Sequence, residues 1–124
     1  MSTQTRKGNS EGEIPVENYL KQRGFRRAFR LRHQGTIDKG DIGGIDGVML
    51  EVKNHGVYKI AEWMKEVAVE KANAAASIGA LIMKPKGIGT TRVGQWWVVM
   101  PVTDFSRLLI EAGYGPYEEP HDDD

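Results

Sequence analysis

Three residues in the middle of this chain have types and spacing suited to chemistry: Asp41, Glu51 and Lys53. They lie in the stretch K-G-D-I-G-G-I-D-G-V-M-L-E-V-K-N, from Lys39 to Asn54. It reads as a short strand, a glycine turn and a second, more apolar strand. Side chains alternate between the faces of a strand. Val48, Leu50 and Val52 are therefore expected in a core, with Met49, Glu51 and Lys53 on the opposite, polar side. Gly43, Gly44 and Gly47 permit a tight reversal that would bring Asp41 beside Glu51. Two carboxylates beside one ammonium suit a hard divalent cation and a water nucleophile. The same residue types also serve as turn formers and as the solvated face of a half-buried sheet.

The flanking sequence supplies the elements that would hold these groups. Ser10-Glu11-Gly12-Glu13 matches a helix capping box. Proline sits best in a first helical turn, so Pro15 suggests a start nearer Ile14. That helix would continue through Val16, Tyr19 and Leu20 and stop at Gly24. Phe25 to Arg32 reads as a strand, with Phe29 and Leu31 inward and Arg30 and Arg32 outward. From Tyr58 to about Ile78, the residues Ile60, Trp63, Met64, Val67, Ala74, Ala75 and Ile78 recur at helical spacing. Ala80 to Met83 suits a buried strand, Pro85 to Gly94 a glycine-containing loop, and Gln95 to Met100 another strand. Thr103 to Ala112 reads as a last helix. A strand, long helix, strand unit implies a parallel crossover, so the expected class is α/β, with a mixed sheet flanked by helices.

Composition sets the outer limits. The 124 residues are 40% hydrophobic, enough for one small domain over 10–113, with residues 1–9 expected to be disordered and 114–124 an acidic tail. Formal net charge is zero, yet residues 1–117 carry 17 basic against 12 acidic groups. Lys21, Arg23, Arg26, Arg27, Arg30 and Arg32 fall within 21–33, where there is no acid. A basic segment followed by an acidic tail suits a polyanion-binding domain. Absence of cysteine excludes disulfides and thiolate metal sites. No apolar run has the length of a membrane span and no signal-peptide core is present, which points to the cytoplasm.

The order of elements, with Asp41, Glu51 and Lys53 on the central hairpin, resembles the PD-(D/E)xK nuclease superfamily. Within it, the chain is most similar to the small Holliday junction resolvases of archaea and their counterparts encoded by actinobacterial phages. The resemblance spans roughly residues 10–110. It rests on the order of E-x-x-V-x-x-Y-L (Glu13 to Leu20), Gly24-Phe25, D-x-G-D-I-G-G (Asp38 to Gly44), E-V-K-N (Glu51 to Asn54) and Ala61 to Trp63. The superfamily's proline is replaced by Gly40. The resemblance implies a restriction-endonuclease-like core of order αβββαβ and Mg²⁺-dependent hydrolysis of DNA phosphodiesters, with Mn²⁺ as a substitute ion. Asp41, Glu51 and the backbone carbonyl of Val52 would hold the metal, and Lys53 would orient the water. Glu13 matches a further metal-site glutamate of the first helix, with Glu17 as its substitute. A homodimer acting on four-way junctions would follow, in the host cytoplasm for a phage protein. A general repair or restriction-like nuclease, or a non-catalytic DNA-binding module, are the alternatives.

Other groups have two readings each. Arg26, Arg27, Arg30 and Arg32 suit phosphate contacts or an exposed strand face. Lys84, Lys86 and Arg92 border the glycine loop, as DNA contacts or as parts of a mobile hairpin. Asp38 is a second acidic candidate or an Asx turn, and Asp46 a turn residue. Of Trp96 and Trp97, one is expected in the core. His33, His55 and His121 lack metal-ligand spacing.

Overall fold

The computed structural model describes residues 3–32 and 37–118. His33, His121 and the acidic run from Glu119 onward lie outside the described residues. Three helices and five strands follow the expected order: α1 (Thr3–Gln22), β1 (Phe29–Arg30), β2 (Ile42–Gly43), β3 (Val48–Lys53), α2 (Ile60–Asn73), β4 (Ile78–Met83), β5 (Trp97–Val99) and α3 (Val102–Glu111). A short 3₁₀ turn, Val93–Gln95, precedes β5. The strands form one mixed sheet in sequence order. β3 and β4 are parallel over six residue pairs, and the other neighbours are antiparallel. The parallel pair is joined by α2, as the long crossover requires. No helix among the described residues is long and apolar enough to cross a membrane.

The sheet is covered on both faces. Val16 of α1 packs with Ile42, Leu50, Val52, Ala80, Ile82 and Trp96 on one side. Trp63 and Val67 of α2 pack with Met49, Leu81 and Met83 on the other. All six residues of β4 are buried, as befits a central strand of a two-sided sheet. This corrects the expectation for β3: Met49, Glu51 and Lys53 do share a face, but it is the face under α2 and not a polar one. Met49 is as buried as Val52.

Several boundaries also shift. α1 begins at Thr3 rather than near Ser10, so the backbone of 3–9, expected to be disordered, is helical and Pro15 lies inside the helix. Ser10 therefore has no N-terminus to cap. Gly24, at φ +106°, does end this helix, and the Phe25 N–H reaches back to the Leu20 carbonyl at 2.9 Å. β1 is only two residues long, and its sidedness is reversed. Phe29 is 48% exposed, whereas Ala28 is buried and Arg30 half-buried. The cause is α1: Glu17 accepts the Arg30 backbone N–H at 2.7 Å, and Glu13 accepts its side-chain Nε–H at 3.3 Å. Those two carboxylates draw Arg30 to the helix side. α2 stops at Asn73, because Ala75 adopts φ +52° and turns the chain into β4. Ile78 thus belongs to the strand and not to the helical stripe. Trp96 enters the core and Trp97 is half exposed, the split that strand alternation predicts.

α3 is fastened through Asp104, which is fully buried. It accepts the Gly79 N–H at 2.8 Å and the Lys71 ammonium at 3.1 Å. β5 pairs only with Leu81 to Met83, so Gly79 lies beyond its reach, and Asp104 supplies the missing acceptor.

Candidate functional site

The hairpin between β2 and β3 does what its glycines suggest. Gly44 is at φ +88°, and a side chain there would collide with the Arg27 carbonyl. Antiparallel pairing sets Ile42 opposite Leu50, and the Asp41 N–H donates to the Leu50 carbonyl at 2.8 Å. Asp41 therefore lies across from Glu51. Its Oδ2 accepts the Val52 N–H at 2.7 Å, which pins the carboxylate to the neighbouring strand. Gly40, before it, is at φ +97°, a value closed to proline, and packs against Met49. Glycine is thus demanded by the backbone at this position. The Val52 carbonyl, two residues on from that of Leu50, points toward the same Asp41 edge.

Glu51 is 5% exposed. Burial, then hydrogen bonds with Asp41 and Glu70, push its carboxyl up to about 12, so it is protonated when no cation is near. Glu70, on α2, is 4% exposed, and burial raises its carboxyl to about 7. The hydrogen bond with Glu51 opposes that rise, and Asp38 and Asp41 add to it. One oxygen, Glu70 Oε2, is buried without any hydrogen-bond partner. Oxygens of Asp38, Glu51 and Glu70 all lie within 4.8 Å of one another. Asp38 also forms the expected Asx turn, accepting the Gly40 N–H at 2.9 Å.

Lys53 is held by α2 as well. Its ammonium is 3.0 Å from Glu66 and 5.9 Å from the Trp63 ring centroid. Burial pulls its pKa down, but the Glu66 hydrogen bond and the charges of Glu51, Glu66 and Asp41 outweigh this, and the net shift is upward. Lys53 is therefore a fixed cation in the site. The His55 ring lies 5.4 Å from that of Trp63, tilted by 50°, and burial and the Lys53 charge lower its pKa.

The structure thus brings Asp41, Glu51, Val52 and Lys53 together. Glu13 is buried on α1 and ion-paired with Arg30, and it is not part of the group Asp38, Glu51 and Glu70 whose oxygens lie within 4.8 Å of one another. Glu17, its substitute, is occupied by the Arg30 backbone. Arg26, Arg27 and Arg32 are exposed. Arg92 donates to the Gly87 carbonyl at 2.9 Å, while the Lys86 N–H donates to the Tyr58 hydroxyl at 2.6 Å and its ammonium lies over that ring. Lys84 lines a groove of about 650 Å³ with Glu11, Ile14, Pro15, Asn54 and Thr90, beside the ends of β3 and β4.

Sequence reasoning missed Glu66 and Glu70. A signal for Glu70 exists: Trp63, Val67, Glu70 and Ala74 form one helical stripe, in which an acid occupies an inward position. An acid on an apolar stripe is buried with a partner or for a purpose. Compared with protein-family models, curated proteins and solved structures, the chain matches none.

Proposed function

We propose that the chain is a Mg²⁺-dependent, structure-selective DNA endonuclease of the restriction-endonuclease-like type, acting as a Holliday junction resolvase. The observation that carries this reading is the convergence of Asp41, Glu51 and Lys53 at one edge of β3, two carboxylates in hydrogen-bond contact with a fixed ammonium beside them. The αβββαβ order around them and the resemblance of the motifs support it. The donors suit the metal: they are hard oxygens, and once a cation displaces the Glu51 proton the two carboxylates carry more negative charge than Lys53 balances. Asp41, Glu51 and the Val52 carbonyl would hold it, Mn²⁺ serving as a substitute. When bound, the ion supplies an acidified water and neutralises charge that builds up on the phosphate. Lys53, kept cationic by Glu66, holds a positive charge against the scissile phosphate and orients the attacking water. Asp41 is tethered through the Val52 N–H, which holds its carboxylate beside Glu51.

Exposed Arg26, Arg27 and Arg32, with Lys84 just past the end of β4, supply phosphate contacts. Lys86 and Arg92 are exposed as well, while Arg30 is paired with Glu13 and Glu17 of α1. Two symmetric cuts in a four-way junction need two such sites, so the active species is a homodimer. Exposed Trp97, Val98, Phe105 and Ile110 offer apolar surface for it.

The test is incubation with Mg²⁺ and a labelled four-way junction, alongside matched linear duplex and an Asp41→Asn control. Paired symmetric nicks in the junction alone are expected. Cutting of both substrates would mean a general repair or restriction-like nuclease. Binding without cutting under any divalent ion would leave a DNA-binding module.

A further inference from the structure

We propose that α2 contributes a cation ligand to this site, Glu70, which acts with Glu51 and Asp38 and takes the place that Glu13 of α1 would have filled. Three observations converge on it. The three carboxylates come from a loop, a strand and a helix, yet their oxygens meet within 4.8 Å. Divalent cations bind oxygens at about 2.0–2.6 Å, so two ligands across one ion are roughly 4–5 Å apart. The span therefore fits a single ion. Second, Glu70 is nine-tenths buried, and its Oε2 has no hydrogen-bond donor. An unpaired buried carboxylate oxygen is costly, and the side chains that act on Glu70, namely Glu51, Asp38 and Asp41, are all acids. A cation would. Third, Glu13 is already compensated by Arg30 on the opposite side of β3, toward α1, whereas Glu51 lies on the α2 side.

The positions of Glu70 and Lys53 are linked through one helix. Glu66 and Glu70 are one turn apart on α2, so the helix that fixes the Lys53 ammonium also sets the third carboxylate. Metal binding and lysine placement are then a single packing event between α2 and β3. The identity of the ion as Mg²⁺ or Mn²⁺ rests on the nuclease reading, while the ligand set does not.

The competing account is that Glu51 and Glu70 merely share a proton, with no cation involved. Titration calorimetry with Mn²⁺ alone, without DNA, separates the two. The wild-type chain is expected to bind, and Glu70→Gln to bind on the order of 10- to 100-fold more weakly. Glu62→Gln, an exposed acid on the same helix, serves as the control for net charge and should bind as the wild type does. Glu70→Gln should fold, since it removes an unpaired charge, and a thermal melt checks this. Asp38→Asn keeps the Asx turn and provides a second, independent loss of affinity. Undiminished Mn²⁺ binding by folded Glu70→Gln overturns the proposal, whatever the chain does to DNA. Glu70-dependent binding without any DNA cleavage would sustain the ligand set and overturn the nuclease reading instead.

Discussion

Consider Glu51→Gln in the presence of EDTA, followed across pH. In the folded, metal-free chain the Glu51 carboxyl is held far above its ordinary value of 4.5. The folded state thus keeps a proton that the unfolded state releases as pH rises past about 4.5. Stability must fall with pH wherever the native state binds more protons. Each pH unit is worth about 1.4 kcal/mol per group, so the 2.5 units between pH 4.5 and 7 remove about 3 kcal/mol. Glutamine does not titrate, and the variant escapes this loss. Unfolding entropy for a chain of this length is about 0.26 kcal/mol/K, so the gap between variant and wild type should widen by roughly 10 °C. The assay is a series of thermal melts between pH 4.5 and 7.5, with the two proteins compared at each pH. Comparing the difference across pH cancels the pH-independent cost of replacing the side chain. Mg²⁺ should raise the melting temperature of the wild type at pH 7.5 and leave the variant nearly unmoved. A gap that changes by less than about 1 kcal/mol would refute the argument, because it would mean that Glu51 ionises freely in the fold.

Lys53→Ala should fold with a loss of about 1 kcal/mol or less, since its partner Glu66 is half exposed, yet cleave DNA at least ~10²-fold more slowly in a single-turnover assay. Asp104→Ala, which strands the Gly79 N–H and the Lys71 ammonium, should cost about 3 kcal/mol in denaturant unfolding without altering Mn²⁺ affinity. Gly40→Ala forces a Cβ to 2.7 Å from Met49 Sδ at a positive φ and should cost about 1–3 kcal/mol in the same measurement. In Glu70→Gln, the stability advantage in EDTA should grow from pH 4.5 and level off above 7, where the wild-type carboxyl titrates.

Much of this arrangement follows from local rules. The order of helices and strands, the stop at Gly24, the split between Trp96 and Trp97 and the meeting of Asp41 with Glu51 all follow from side-chain periodicity and glycine turns. These act over a few residues and leave a mark in any single sequence. Period two says that Met49, Glu51 and Lys53 share a face of β3. It cannot say that α2 will cover that face, because the covering helix is chosen by the parallel crossover to β4. That choice turned an expected polar surface into a buried acidic site and brought in Glu66 and Glu70. The sidedness of β1 was likewise decided from outside, when Glu13 and Glu17 of α1 drew Arg30 inward against the preference of Phe29. The same pairing commits Glu13 to Arg30. Buried charges are placed by their partners, and those partners here lie 13 to 33 residues away along the chain, where only the tertiary structure can bring them into contact.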